Sequence, residues 1–158
     1  MIPKIIHQIW IGPRPVPNSY IDTWRELAKL TGWEHRLWTD AHVEQEVRFS
    51  RQVFDEWPNL HGRADLYRWE VLYRHGGVYF DADYVSTGVP LENFIPLHCD
   101  LVGTTEHEFP PLNHFRPQFD PLKDDEVPMS ILLQAGFFCA APRHPQVRYW
   151  LECFINAY

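Results

Sequence analysis

The sequence predicts an α/β fold, a sheet sandwiched between helices, and three observations point there. Short apolar runs bounded by Gly or Pro alternate with stretches of helical spacing. The 158 residues suffice for one domain with its own core. Hydrophobic residues at 45% and charged residues at 22% belong to a globular chain rather than a disordered one.

Taken in order, Lys4 to Ile11 is a buried-strand pattern that stops at Gly12-Pro13, and Pro13, Pro15 and Pro17 stiffen the loop behind it. Asn18 or Ser19 caps a helix running to about Leu30, with Ile21, Trp24, Leu27 and Ala28 on one face and Gly32 as its stop. Trp33 to Trp38 reads as a strand, and Thr39 or Asp40 caps a short helix after it. From Gly62 to His75 the spacing of Leu66, Trp69 or Glu70, and Tyr73 is helical, and Gly76-Gly77 ends the run. The strand Val78-Tyr79-Phe80 follows at once and leads into Asp81-Ala82-Asp83. Asp100 to Gly103 and Phe137 to Ala141 read as two further strands, and a last helix starts near Pro145 and continues to Tyr158. Residues 106–128 are rich in Pro, His, Asp and Glu without a period. They read as a long loop, either an acceptor contact or lid, or a plain excursion. Alternating strands and helices give a sheet covered on both faces. Such sheets bind ligands beyond the carboxyl ends of their strands, where Asp81 and Asp83 lie.

The net charge of −7 argues against a nucleic-acid partner, which calls for a basic face. Cys99, Cys139 and Cys153 are odd in number and lack metal-ligand spacing, so a reducing compartment is expected. The start, Met1 to His7, shows neither a signal-peptide pattern nor a membrane-spanning run, so the expected location is cytoplasmic. None of the nine histidines has zinc spacing, and they read as structural or surface residues.

Two carboxylates two residues apart at the end of an apolar strand are costly to bury without compensation. A divalent cation removes that cost, since Mn²⁺ and Mg²⁺ favour carboxylate oxygens and bridge to diphosphates. A bare Asp-x-Asp is equally the mark of a solvated turn. Asp65 and Arg68, three apart on the preceding helix, share a face. They are either a surface ion pair or a pair that holds sugar hydroxyls and a phosphate.

Gly62-Arg63-Ala64-Asp65-Leu66-Tyr67-Arg68, followed by Leu72 to Asp83, resembles the sugar-binding region of family 32 glycosyltransferases. These are DXD-motif enzymes related to the glucosylating domains of large clostridial toxins. Ile2 to Gly12 resembles that family's first strand, and Ala135 to Pro145 is a weaker third match. The resemblance implies a GT-A fold with a mostly parallel sheet, one domain over residues 1–158 that is C-terminally short beside its relatives, and a UDP- or GDP-linked hexose donor. It also implies a Mn²⁺ or Mg²⁺ ion, retention of anomeric configuration, and a polysaccharide, glycolipid or protein hydroxyl as acceptor. Carried over by position, Trp10 would stack on the base, with a core role as its alternative. Asp65 would hold sugar hydroxyls, and Arg68 the sugar or diphosphate. Asp81 would contact ribose and sugar, partly through the metal shell, and Asp83 would ligate the metal. Relatives often carry an Asn before the last strand, where this chain has Gln134 or Ala135. No general base stands out. A module that binds nucleotide sugars without turnover is the alternative, and a metal-dependent phosphohydrolase a weaker one.

Overall fold

The computed structural model describes residues 1–108 and 131–157. Its centre is a five-stranded sheet in the order β2-β1-β3-β5-β4. The strands are β1 (Ile5–Ile9), β2 (Glu34–Trp38), β3 (Gly77–Phe80), β4 (Leu101–Glu108) and β5 (Ile131–Ala140). The helices are α1 (Asn18–Thr31), α2 (Val43–Glu46), α3 (Arg51–Glu56), α4 (Leu60–His75) and α5 (Pro145–Ala157). β2, β1 and β3 run parallel, whereas β5 is antiparallel to both β3 and β4. The sheet is therefore mixed, and the expectation of mostly parallel pairing holds for its β2-β1-β3 half.

Side chains alternate across the sheet as the strand period requires. On β3, Val78 and Phe80 join a core with Ile6, Trp24 and Leu27 beneath α1. Tyr79 joins the opposite core with Leu66, Leu72 and Leu151 beneath α4 and α5. β5 repeats the alternation, with Phe137 and Cys139 on the first side and Phe138 and Ala140 on the second.

α1 buries Ile21, Trp24, Leu27 and Ala28 and stops at Gly32 in the left-handed conformation. Its start differs from the expected Asn or Ser cap. Pro17 occupies the cap position and its carbonyl accepts from the Tyr20 and Ile21 amides, so Asn18 is already helical. The short turn after β2 is capped by Thr39, whose side chain pairs reciprocally with His42. α4 begins at Leu60, earlier than its periodicity suggests, because the Asn59 carboxamide accepts the Gly62 amide at 2.8 Å.

α3 and the first half of β5 were not legible in the sequence. β4 runs to Glu108, so the first residues of the expected 106–128 loop are strand; the remainder falls outside the described residues. Among the described residues, no helix is long and apolar enough to cross a membrane.

Candidate functional site

β1, α4 and β3 converge where the parallel strands end. The convergence leaves a cavity of about 930 Å³ lined by Trp10, Asp65, Arg68, Asp81 and Asp83, with Arg14 and His61 also on its wall. All five residues singled out by the sequence thus face one space.

Asp81 is held through its backbone from both sides. Its amide donates to the Gly136 carbonyl of β5 at 2.9 Å. Its carbonyl accepts the Gln8 carboxamide from β1 at 3.3 Å and the Tyr84 amide at 3.1 Å. Its carboxylate Oδ1 accepts the Tyr79 hydroxyl at 2.8 Å and, more distantly, Arg68 Nη2 at 3.4 Å. The same Nη2 donates to Asp65 Oδ1 at 2.6 Å, so Asp65 is the nearer partner. This pair arises because positions three apart on a helix share a face. The guanidinium also lies over the Tyr79 ring, 4.7 Å from its centroid.

Arg68 is nearly buried, with 6% of its side chain exposed, whereas Asp65 and Asp81 are partly open to the cavity. The pair is therefore part of the cavity wall and not the surface ion pair that the sequence left open. Burial raises the Asp65 carboxyl above its usual value; Arg68 and His61 oppose the rise and Asp81 reinforces it. Burial likewise pushes up the Tyr79 phenol, which keeps its proton to donate to Asp81.

Asp83 lies in the turn directly after β3, exposed, beyond the buried Ala82. Among the described residues no three His, Cys, Asp or Glu side chains gather as a metal cage. Two hard carboxylates nonetheless match what Mg²⁺ or Mn²⁺ takes from a protein when phosphates and water complete its shell. The donor set fits such an ion on that condition.

Trp10 belongs to neither core cluster and is half-buried at the cavity edge. Its amide donates to the Trp38 carbonyl and its indole N–H to the Arg14 carbonyl, both at 2.8 Å. Gly12, at φ 94°, donates to Asp40 Oδ2 at 2.9 Å and pins the same loop. With the indole N–H used, the ring offers its face.

His7 is structural, as the sequence suggests. It is fully buried, bonds the Gly76 carbonyl through Nε2 at 2.7 Å, and accepts Trp38 Nε1 at Nδ1. Sequence reasoning missed the part played by Tyr79, although alternation puts it on the same strand face as Asp81, two residues on. It also missed Tyr84 and Gly136, whose place in the cavity depends on distant pairing.

The sequence model of a family described as "Glycosyltransferase sugar-binding region containing DXD motif" matches residues 17–98. Inositol phosphoceramide mannosyltransferase 1 of Schizosaccharomyces pombe is 32% identical over 112 residues, which cover 66% of this chain and 35% of that protein. Inositol phosphoceramide mannosyltransferase 2 of the same yeast is 35% identical over 123 residues, covering 68% and 35% respectively. The chain thus spans about a third of the length of these relatives. Among solved structures, PaToxG Glycosyltransferase matches with a TM-score of 0.55 at 14% identity, covering 99% of this chain and 61% of that one. That likeness establishes the fold, a GT-A-like sheet between helices.

Proposed function

The chain belongs to the family of glycosyltransferases whose sugar-binding region contains the DXD motif, and on that premise we propose that it moves a hexose from a nucleotide sugar to a hydroxyl acceptor. The observation that carries this reading is the fixed trio of Asp65, Arg68 and Asp81 on the wall that Asp83 and Trp10 share. Such a trio is preorganised, so few side chains need to reorder when a sugar enters.

In this reading Trp10 stacks on the base, and Asp65 and Asp81 accept hydroxyls of the sugar and ribose. Arg68 holds both carboxylates in place through its one Nη2. Asp83, with Asp81, holds a Mn²⁺ or Mg²⁺ ion, whose chemistry when bound is to neutralise charge on the departing diphosphate. The protein's own contribution is positioning and electrostatic preorganisation. The named activities of the relatives put mannose first among donor sugars. They also put an inositol phosphoceramide first among glycolipid acceptors.

The test is sugar release or transfer from GDP-mannose, UDP-glucose and UDP-galactose, with and without Mn²⁺. The expected result is turnover of one donor that EDTA abolishes. Asp83→Ala should lower kcat by at least about a hundredfold, the scale of a lost electrostatic contact to a leaving group. Unchanged turnover in that variant would sink the metal role. Binding of a donor without turnover would assign the chain to a donor-binding module instead.

A further inference from the structure

The wall of the cavity opposite Trp10 is built by two residues to which neither the motif nor the relatives assign a role. Gly136 lies on β5, the strand beyond β3 on the side away from β1. A Cβ built on Gly136 would stand 2.7 Å from Tyr84 Oη and 2.8 Å from Asp81 Oδ2. Any larger residue there would have to displace one or both oxygens. The missing side chain is therefore what lets the Tyr84 phenol and the second Asp81 oxygen stand beside each other over the same stretch of backbone.

Asp81 Oδ1 already serves Tyr79 and Arg68, and Oδ2 is the oxygen turned toward Gly136, where the Tyr84 hydroxyl also points. Tyr84 is itself well placed. Its carbonyl accepts the Trp24 indole N–H at 2.8 Å, its amide closes the turn onto Asp81, and its ring lies 6.3 Å from that of Phe80. α1 and the end of β3 thus fix the Tyr84 backbone and flank its ring, so part of the cost of ordering the side chain is met before any ligand arrives.

We propose that Tyr84, seated over Gly136, is a specificity-determining residue for the sugar end of the donor. Its hydroxyl and Asp81 Oδ2 form a two-oxygen clasp that a single sugar hydroxyl bridges, donating its proton to the carboxylate while its oxygen accepts from the phenol. The order of strands places the clasp on the far side of Asp81 from Trp10. It therefore meets the sugar and not the base. This rests on the proposed donor role of Asp81.

The test compares Tyr84→Phe with the wild type for binding of GDP-mannose, UDP-glucose and UDP-galactose, and of GDP and UDP alone, all with Mn²⁺. Tyr84→Phe keeps the ring beside Phe80, and an unchanged melting temperature confirms that the fold is intact. For the donor that the wild type prefers, affinity should fall about tenfold, the worth of one hydrogen bond to a charged or well-fixed partner. Binding of the matching nucleoside diphosphate should stay within about twofold, which a merely structural role for Tyr84 would not produce. Equal donor affinity in Tyr84→Phe and wild type overturns the clasp and leaves the donor site standing. Equal losses for donor and diphosphate overturn it too, by placing Tyr84 at the nucleotide. A wild type that binds none of these nucleotides overturns the donor site, and the clasp with it.

Discussion

At Arg68 a nearly buried guanidinium serves two carboxylates and an aromatic face at once. A planar fork meets those demands; a lysine ammonium on a flexible stem does not, although it keeps the charge. Arg68→Lys should therefore fold but lower kcat/KM for the donor by about a hundredfold, as both Asp65 and Asp81 lose their fixed orientation. A steady-state comparison beside a thermal melt checks this, and wild-type kinetics in the variant would refute the shared-cation role. Tyr79 makes the finer case. Its hydroxyl is buried and donates to Asp81 Oδ1 at 2.8 Å, while its ring lies under Arg68. Tyr79→Phe keeps the ring and removes one charge-assisted hydrogen bond, worth about 1.5–3 kcal/mol. The expected loss in donor affinity is roughly tenfold or more, and calorimetry with the preferred nucleotide sugar measures it.

Among the elements, the joint between α4 and β3 carries the site, since it fixes the helix that brings Asp65 and Arg68 relative to the strand that ends at Asp81. Gly76 closes the helix by donating its amide to Leu72 O, and its carbonyl is taken by His7 from the neighbouring strand. Gly77 has φ of 103°, and a Cβ there would stand 2.6 Å from Ile5 O and 2.9 Å from His7 Nε2. Gly77→Ala combines a strained backbone with a backbone clash and should cost at least about 3 kcal/mol, read as a lower urea midpoint with an unchanged slope. This joint was legible in the sequence, because two glycines after a helical period and before an apolar run mark a stop and a restart. α1 was legible for the same reason, through Ile21, Trp24, Leu27 and Ala28 and the stop at Gly32. α3 was not: six residues with Phe54 as their one buried side chain are too short to show a period. The direction of β5 was hidden as well, since pairing with β3 and β4 is decided by distant partners. The same limit concealed Gly136, whose meaning comes from Tyr84 and Asp81, fifty-odd positions away in the chain.

Across the whole molecule, buried imidazoles link stability to pH and run close to the site. His7 is buried in the sheet between Gly76 and Trp38, and burial lowers its pKa to about 3 from a usual 6.5; the Gly76 hydrogen bond opposes this, while His75, Arg36 and His35 add to it. His35 on β2 is lowered to about 4, again first by burial. Its Nε2 bonds Gln8 Oε1 at 3.0 Å, and the Gln8 amide in turn donates to the Asp81 carbonyl. For both groups the folded pKa lies below the unfolded one, so between the two values the unfolded chain binds more protons. Stability is therefore full above about pH 6.5 and declines as pH falls toward 4 and then 3. Asp65 and Glu70 act in the opposite sense, because burial raises their folded pKa values above those of the unfolded chain. Their stabilising effect grows as pH falls and offsets part of the loss at the acidic end. Near pH 6 the histidines dominate, and His7 alone should cost about 1 kcal/mol between pH 7 and pH 5.5. Urea unfolding at a series of pH values measures that slope. His7→Gln, which cannot titrate, should flatten it even if the variant is less stable throughout. A wild-type midpoint that does not move between pH 7 and pH 5.5 would show that His7 does not enter the fold as a neutral ring. The bonds that tie it to Gly76 and Trp38 would then need another assignment of donor and acceptor.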